Sequence, residues 1–337
     1  MPLARISQRL GAALTYRDYR ILWLGAAVSS IGTWMQKVAQ SWLVLTITNS
    51  PFFLGLDAFL GEAPLLMFTL LGGVVADRYE RRRVLLVSQY VQMASAFALA
   101  ALVFFQAVQI RHILLLSFIT GTAQAFGGPA YQSLLPTLVR TEHVPNAVAL
   151  NSIQFHLARI IGPLAAGLAL ATFGSAACFS LNGLSFLVVI GSLLSIGAMP
   201  PAAARTRSIT AELGVGLRFV RSRPDILALM FLAFCTALLG APVLTLLPVM
   251  VKNVFHQDAA GYSRLMAFSG AGGVLGAMAV AWLGRFRHME RTAMALQTGL
   301  GAMLVAFALS RSMPLSYGLL FVGSFALLMS FALLNSS

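Results

Sequence analysis

Runs of about twenty apolar residues follow one another along almost the whole chain, each long enough to cross a hydrocarbon core about 30 Å thick. In lipid a backbone amide must find its partner within the protein, so such runs fold as helices or as closed barrels. Strand-like alternation is absent, which removes the barrel. The composition agrees. The chain is 58% hydrophobic and 10% charged, where a soluble domain is about 25% charged. The sequence is therefore read as an all-α polytopic membrane protein.

Turn residues and charges place ten spans, at 20–47, 52–76, 84–107, 112–138, 147–173, 177–198, 225–251, 262–284, 291–310 and 314–335. Asn49-Ser50-Pro51, Val144-Pro145-Asn146, Phe173-Gly174-Ser175 and Met313-Pro314 mark turns between them. The segment 1–19 is basic and lacks a cleavable signal pattern, so the first span acts as its own signal-anchor. The net charge of +13 is a matter of topology rather than of nucleic-acid binding, because the basic residues sit at span ends. With the N-terminus in the cytoplasm, seventeen of the 23 basic residues fall on the inside and four on the outside. Lys37 and Arg159 fall within spans. Cys178 and Cys235 show no metal or redox spacing and read as small packing residues.

The expected organisation is a cytoplasmic N-terminus at 1–19, a six-helix bundle at 20–198, a cytoplasmic central loop at 199–224 and an incomplete four-helix bundle at 225–337. Arg20-Ile21-Leu22 and Asp225-Ile226-Leu227 open the two bundles in similar fashion. The charged hinge Gly72–Arg83 has a basic echo in Leu283-Gly284-Arg285-Phe286-Arg287. Two related halves about a central loop are a transporter pattern.

Gly73-x-x-x-Asp77-Arg78-x-x-Arg81-Arg82-Arg83 resembles the loop between spans two and three of the major facilitator superfamily. Glu80 stands where that pattern has a glycine. Ile160–Gly167, with Gly162, Pro163 and Gly167, resembles the span-five Gly-Pro motif of antiporters and is expected to bend and closely pack that helix. The span-four motif has an arginine four residues before a glycine; with Gly121 as that glycine the place holds Ser117. The stretches 32–42 and 146–167 resemble the bacterial exporter branch that includes the enterobactin exporter. The resemblance implies a major-facilitator-like fold, a bacterial inner-membrane location, alternating access with a cavity between two halves, and a small-molecule substrate. It implies a proton gradient as energy source, no cofactor, and a monomer in the bilayer. The superfamily has twelve spans, so this chain is expected to lack spans eleven and twelve. The Gly73, Asp77, Arg78, Arg81 and Arg82 loop is expected to gate the cytoplasmic side. Asp77, at the C-terminal end of a helix, calls for a partner such as Arg78, Arg81 or the N-terminus of another helix. In the superfamily that helix is span eleven.

Charges at membrane depth cost about 2.5–3.5 kcal/mol each, so every one needs a reason. They are Lys37, Asp57, Glu62 and Arg159. Lys37 and Glu62 fall at similar depth in antiparallel spans and can pair. Asp57 lies about 140° around the helix from Glu62, so the two acids cannot share a partner. Glu62 is the preferred proton carrier, with Asp57 second; a static ion pair with Lys37 is the alternative. Arg159, with His156 and Asn151 on the same face, either contacts an anionic substrate or is held by carbonyls or Glu62. His156 is either a titrating group or a satisfied polar residue. Gln36 and Gln40, one turn apart, either line a cavity or tie helices together. Ser269–Gly276 misses the spacing of a dinucleotide loop and reads as close helix packing. No nucleophile triad, metal cluster or phosphate loop points to an enzyme. The reading is proton-coupled export of a small organic molecule, drug-like or siderophore-like. A non-transporting remnant and an importer of the same fold are the alternatives.

Overall fold

The computed structural model describes residues 11–197, 222–223, 227, 243–283 and 289–334. Residues 1–10, most of the central loop, most of span seven with Cys235, and the echo at 284–287 lie outside them. Every regular element among the described residues is helical. The chain divides into two compact units, Met1–Arg205 and Thr206–Ser337.

The first unit holds α1 (Arg17–Thr48), α2 (Pro51–Arg78), α3 (Arg81–Phe104), α4 (Ile110–Leu134) and the helical run Val144–Ser195. Gly174, at φ 77°, breaks that run into α5 and α6. Only glycine adopts this conformation without strain, so one residue replaces a whole loop. Asn49 ends α1 in the left-handed conformation, and Pro51 opens α2. This is the usual division of labour between a helix C-terminus and N-terminus. Pro145 and Pro314 differ from the expected turns. Both lie in the first turn of a helix, where a missing N–H costs nothing. The turn before α5 is built instead from short 3-10 segments at Leu135–Leu138 and Thr141–His143.

One apolar core cluster of this unit lies at the end near the 78–83 loop. Leu22, Ala76, Leu85, Leu134, Ala147 and Leu193 belong to it. They come from the ends of six antiparallel helices that lie nearest the 78–83 loop. Close approach elsewhere depends on small residues. A side chain on Gly72 would meet the Ala125 carbonyl of α4, and one on Gly121 would meet the Gly61 carbonyl of α2. A side chain on Gly25 or Gly32 would meet Ser192 or Ser185 of α6. Lipid gives helices no hydrophobic reason to associate, so contact of this kind is what joins them.

The second unit holds α7 (Val243–Val254), α8 (Ala259–Leu283), α9 (Met289–Leu309) and α10 (Met313–Leu334). Side chains on Gly272 and Gly276 of α8 would meet the backbone of Phe321 and Phe325 in α10. The glycine-rich stretch at 269–276 is thus a helix contact. Among the described residues six helices are long and apolar enough to cross a membrane: Pro51–Arg78, Arg81–Phe104, Ile110–Leu138, Thr141–Ser195, Ala259–Val280 and Met313–Ser330. The long helix α1 is not one of them. It carries Gln36, Lys37 and Gln40, which belong to the site, and Ser30, which accepts from Gln154 of α5.

Candidate functional site

A polar layer crosses the first unit in the half away from the 78–83 loop. Its anchor is Asp57 of α2, only 8% exposed. Ser117 of α4 donates its hydroxyl to Asp57 Oδ1 at 2.5 Å. Gln40 of α1 donates Nε2 to both Asp57 oxygens at 3.0 Å and lies 2.9 Å from Ser117 Oγ. No cation is within ion-pair distance of Asp57 among the described residues. From Gln40 the chain of contacts continues through Gln36 Nε2 (3.5 Å) to Asn182 of α6, whose Nδ2 donates to Gln36 Oε1 at 2.7 Å. Ser185 donates to Asn182 Oδ1 at 3.1 Å. Four helices, α4, α2, α1 and α6, are therefore joined by neutral donors around one carboxylate. Gln36 and Gln40 both tie helices together here. From the sequence Ser117 stands out only as a departure from the span-four motif, and Asn182 does not stand out at all.

Lys37 and Glu62 face one another at 3.4 Å. Their side chains are 56% and 65% exposed within the unit, so Glu62 is the open acid and Asp57 the buried one. The two acids have separate partners, as their angular spacing requires. Lys37 Nζ also lies 5.3 Å from the centre of the Trp34 ring.

Arg159 sits fifteen residues into α5 and fifteen before Gly174. Its guanidinium carbon lies 5.6 Å from the Trp34 ring. Its buried Nε has no hydrogen-bond partner, and no ion pair reaches it among the described residues. Among the described residues it takes neither Glu62 nor a carbonyl. Phe155 meets Trp34 edge-on at 6.1 Å, and His156 meets Phe155 at 5.9 Å. His156 Nδ1 is buried without a partner. Asn151 accepts the Tyr131 hydroxyl at 2.7 Å. Gln154, buried between these residues, donates to Ala26 O and Ser30 Oγ of α1. Gly162 lets α5 approach α1: a side chain there would strike Trp34 Cβ and Ile31 O. Backbone dihedrals remain helical through Gly162, Pro163 and Gly167; the departure within Val144–Ser195 is at Gly174.

The charged loop is held by its arginines. Arg82 donates to the carbonyls of Leu193 and Leu194 at the end of α6, at 2.7 and 3.2 Å. Arg81 donates to Ser133 O at the end of α4, at 3.0 Å. A cation on the unpaired carbonyls of a helix C-terminus is favourable. Arg83 pairs with Glu80 at 2.7 Å. Asp77 takes neither Arg78 nor Arg81, and both Asp77 and Arg78 lack an ion pair among the described residues. A methyl group added at Gly73 would meet nothing within 4 Å, so the packing glycine of this stretch is Gly72.

Comparison with known proteins agrees with this architecture. The profile of the family described as transmembrane secretion effector matches residues 11–337. The enterobactin exporter EntS of Shigella boydii serotype 4 (strain Sb227) is 26% identical over 301 residues, covering 89% of this chain and 71% of that protein. EntS of Escherichia coli O1:K1 / APEC is 27% identical over 302 residues with the same coverage. Among solved structures, a bacterial homologue of the human lysosomal transporter Spinster, inward-facing and unoccupied, superposes with a TM-score of 0.72 at 15% identity, over 94% of this chain and 73% of that one. The D-xylose-proton symporter gives 0.70 at 14% identity, over 94% and 81%. These two show the fold, and the family match extends over nearly the whole sequence. The chain is a multi-pass membrane protein and belongs to the transmembrane secretion effector family of the major facilitator superfamily.

Proposed function

We propose that the chain is a secondary active exporter of the bacterial inner membrane, with its N-terminus in the cytoplasm. It moves a small organic molecule outward against protons, by alternating access, as a monomer and without a cofactor. The observation that carries this reading is the setting of Asp57. It is a buried carboxylate in a membrane helix, and its contacts are neutral groups. Ser117 can donate to the ionised carboxylate or accept from the protonated one. The site thus holds Asp57 in either state without a structural collapse, which a proton carrier requires. The exporters at 26% and 27% identity support the direction of transport.

Asp57 ranks before Glu62 as the carrier, because Glu62 is exposed and already paired with Lys37. Gln36, Gln40, Asn151, His156 and Arg159 are the substrate-facing candidates, and Gly73, Asp77, Arg78, Arg81 and Arg82 form the gating loop. The test uses proteoliposomes with an imposed pH gradient and a panel of siderophores, antibiotics and dyes. Asp57→Asn should abolish pH-driven flux while leaving substrate binding, and Glu62→Gln should reduce it less. Flux that survives intact in Asp57→Asn overturns the assignment.

A further inference from the structure

Arg159 is a cation in the middle of a membrane helix, and the described residues offer it no anion. The acids can be placed one by one. The first unit has six. Asp18 pairs with Arg17, Glu62 with Lys37 and Glu80 with Arg83. Glu142 lies beside His143. Asp57 is enclosed by Ser117 and Gln40, and Asp77 lies at the far end of α2. Of the other four acids in the sequence, Glu212 and Asp225 lie outside the described residues. Asp258 accepts the Gly261 N–H at the start of α8, and Glu290 is in the first turn of α9. Each of these two is at a helix end rather than at mid-span.

A guanidinium at this depth with its buried Nε unpaired is costly. What surrounds it is aromatic. Trp34 lies 5.6 Å away, and Phe155 stands edge-on to Trp34. Phe155, one turn before Arg159 on the same face, is about half exposed, so that face is open within the unit. A fork of N–H donors beside ring surfaces fits a flat group that bears a negative charge. Lys37, on the same Trp34 ring, adds positive potential but is held by Glu62.

We propose that Arg159, Trp34 and Phe155 form a binding site for organic anions of the aromatic carboxylate class, with the carboxylate on Arg159 and the ring against Trp34 and Phe155. This rests on the transporter reading for its physiological meaning. The binding itself can be measured without transport.

The experiment is equilibrium dialysis of the full chain in lipid nanodiscs, with three radiolabelled probes. They are 2-naphthoate, the cation 2-naphthyltrimethylammonium with the same ring system, and cyclohexanecarboxylate with the charge but no aromatic ring. Naphthoate should bind about tenfold or more tightly than either of the others, and Arg159→Gln should weaken it by about tenfold or more. Arg159→Lys keeps the charge without the fork and should fall between the two. It also serves as the control if Arg159→Gln fails to fold. Trp34→Leu should weaken naphthoate more than cyclohexanecarboxylate. Equal binding of the naphthyl cation, or unchanged naphthoate affinity in either Arg159 variant, overturns the proposal. Absent naphthoate binding beside intact pH-driven flux removes only the ligand class. Naphthoate binding without any pH-driven flux removes only the transporter reading.

Discussion

Asp57 accepts from two groups that differ in what they can do next. The Gln40 amide nitrogen only donates, whereas the Ser117 hydroxyl can also accept. Ser117 can take the hydrogen bond of a protonated Asp57 in place, whereas Gln40 would have to turn its amide and release Oε1 from Gln36. Ser117→Ala removes that acceptor and leaves Gln40 in place. Transport should slow several-fold and its pH profile should move, while Ser117→Thr, which keeps the hydroxyl, should restore both. A profile that stays put in Ser117→Ala would make Ser117 a packing residue only. The Lys37–Glu62 pair was legible from sequence, since antiparallel spans of known length fix relative depth. Ser117 and Asn182 were not. They lie 60 residues from Asp57 and 146 from Gln36, and a serine or asparagine in a span looks like any other small polar residue until its neighbour is known. Ser117 did leave one trace: it occupies the place where the superfamily's span-four motif has an arginine. With a serine there, Asp57 keeps a neutral partner instead of an ion pair.

Helix contacts show the same division. The motif drew attention to Gly73, yet it is Gly72 that faces α4. Motif spacing records which positions recur, whereas packing depends on the rotation of the helix, and neighbouring positions differ by about 100°. Adding one methyl group tests this. Gly121→Ala would place it against the Gly61 carbonyl and force α2 and α4 apart, at a cost of about 1–3 kcal/mol. Gly73→Ala meets nothing within 4 Å and gains up to about 1 kcal/mol of helix propensity. Thermal unfolding in detergent should show a lower midpoint for Gly121→Ala and an equal or higher one for Gly73→Ala. The reverse order would mean that the α2–α4 contact does not limit stability. Gly174 belongs with these residues. The sequence marked a turn there, and what forms is a corner of a single residue, because a positive φ redirects the chain without any loop.

The placement of the whole chain in the bilayer turns on its arginines, and two of these have a second role. Under the proposed orientation Arg81 and Arg82 keep the 78–83 loop inside, and they also close the ends of α4 and α6. A guanidinium on a carbonyl keeps its charge, so its weight in the positive-inside rule is unchanged. The loop between α2 and α3 and the loop between α3 and α4 lie at opposite ends of α3, with Tyr79 exposed in the first and Ala107 exposed in the second. This gives a direct test of orientation. With Cys178 and Cys235 replaced by serine, Tyr79→Cys and Ala107→Cys each leave one thiol. A membrane-impermeant maleimide added to intact cells should label Ala107→Cys and spare Tyr79→Cys until the cells are permeabilised. The opposite pattern would put the 78–83 loop outside. The Arg81 and Arg82 contacts would then be caps alone, and export, as proposed, would have to be read as import.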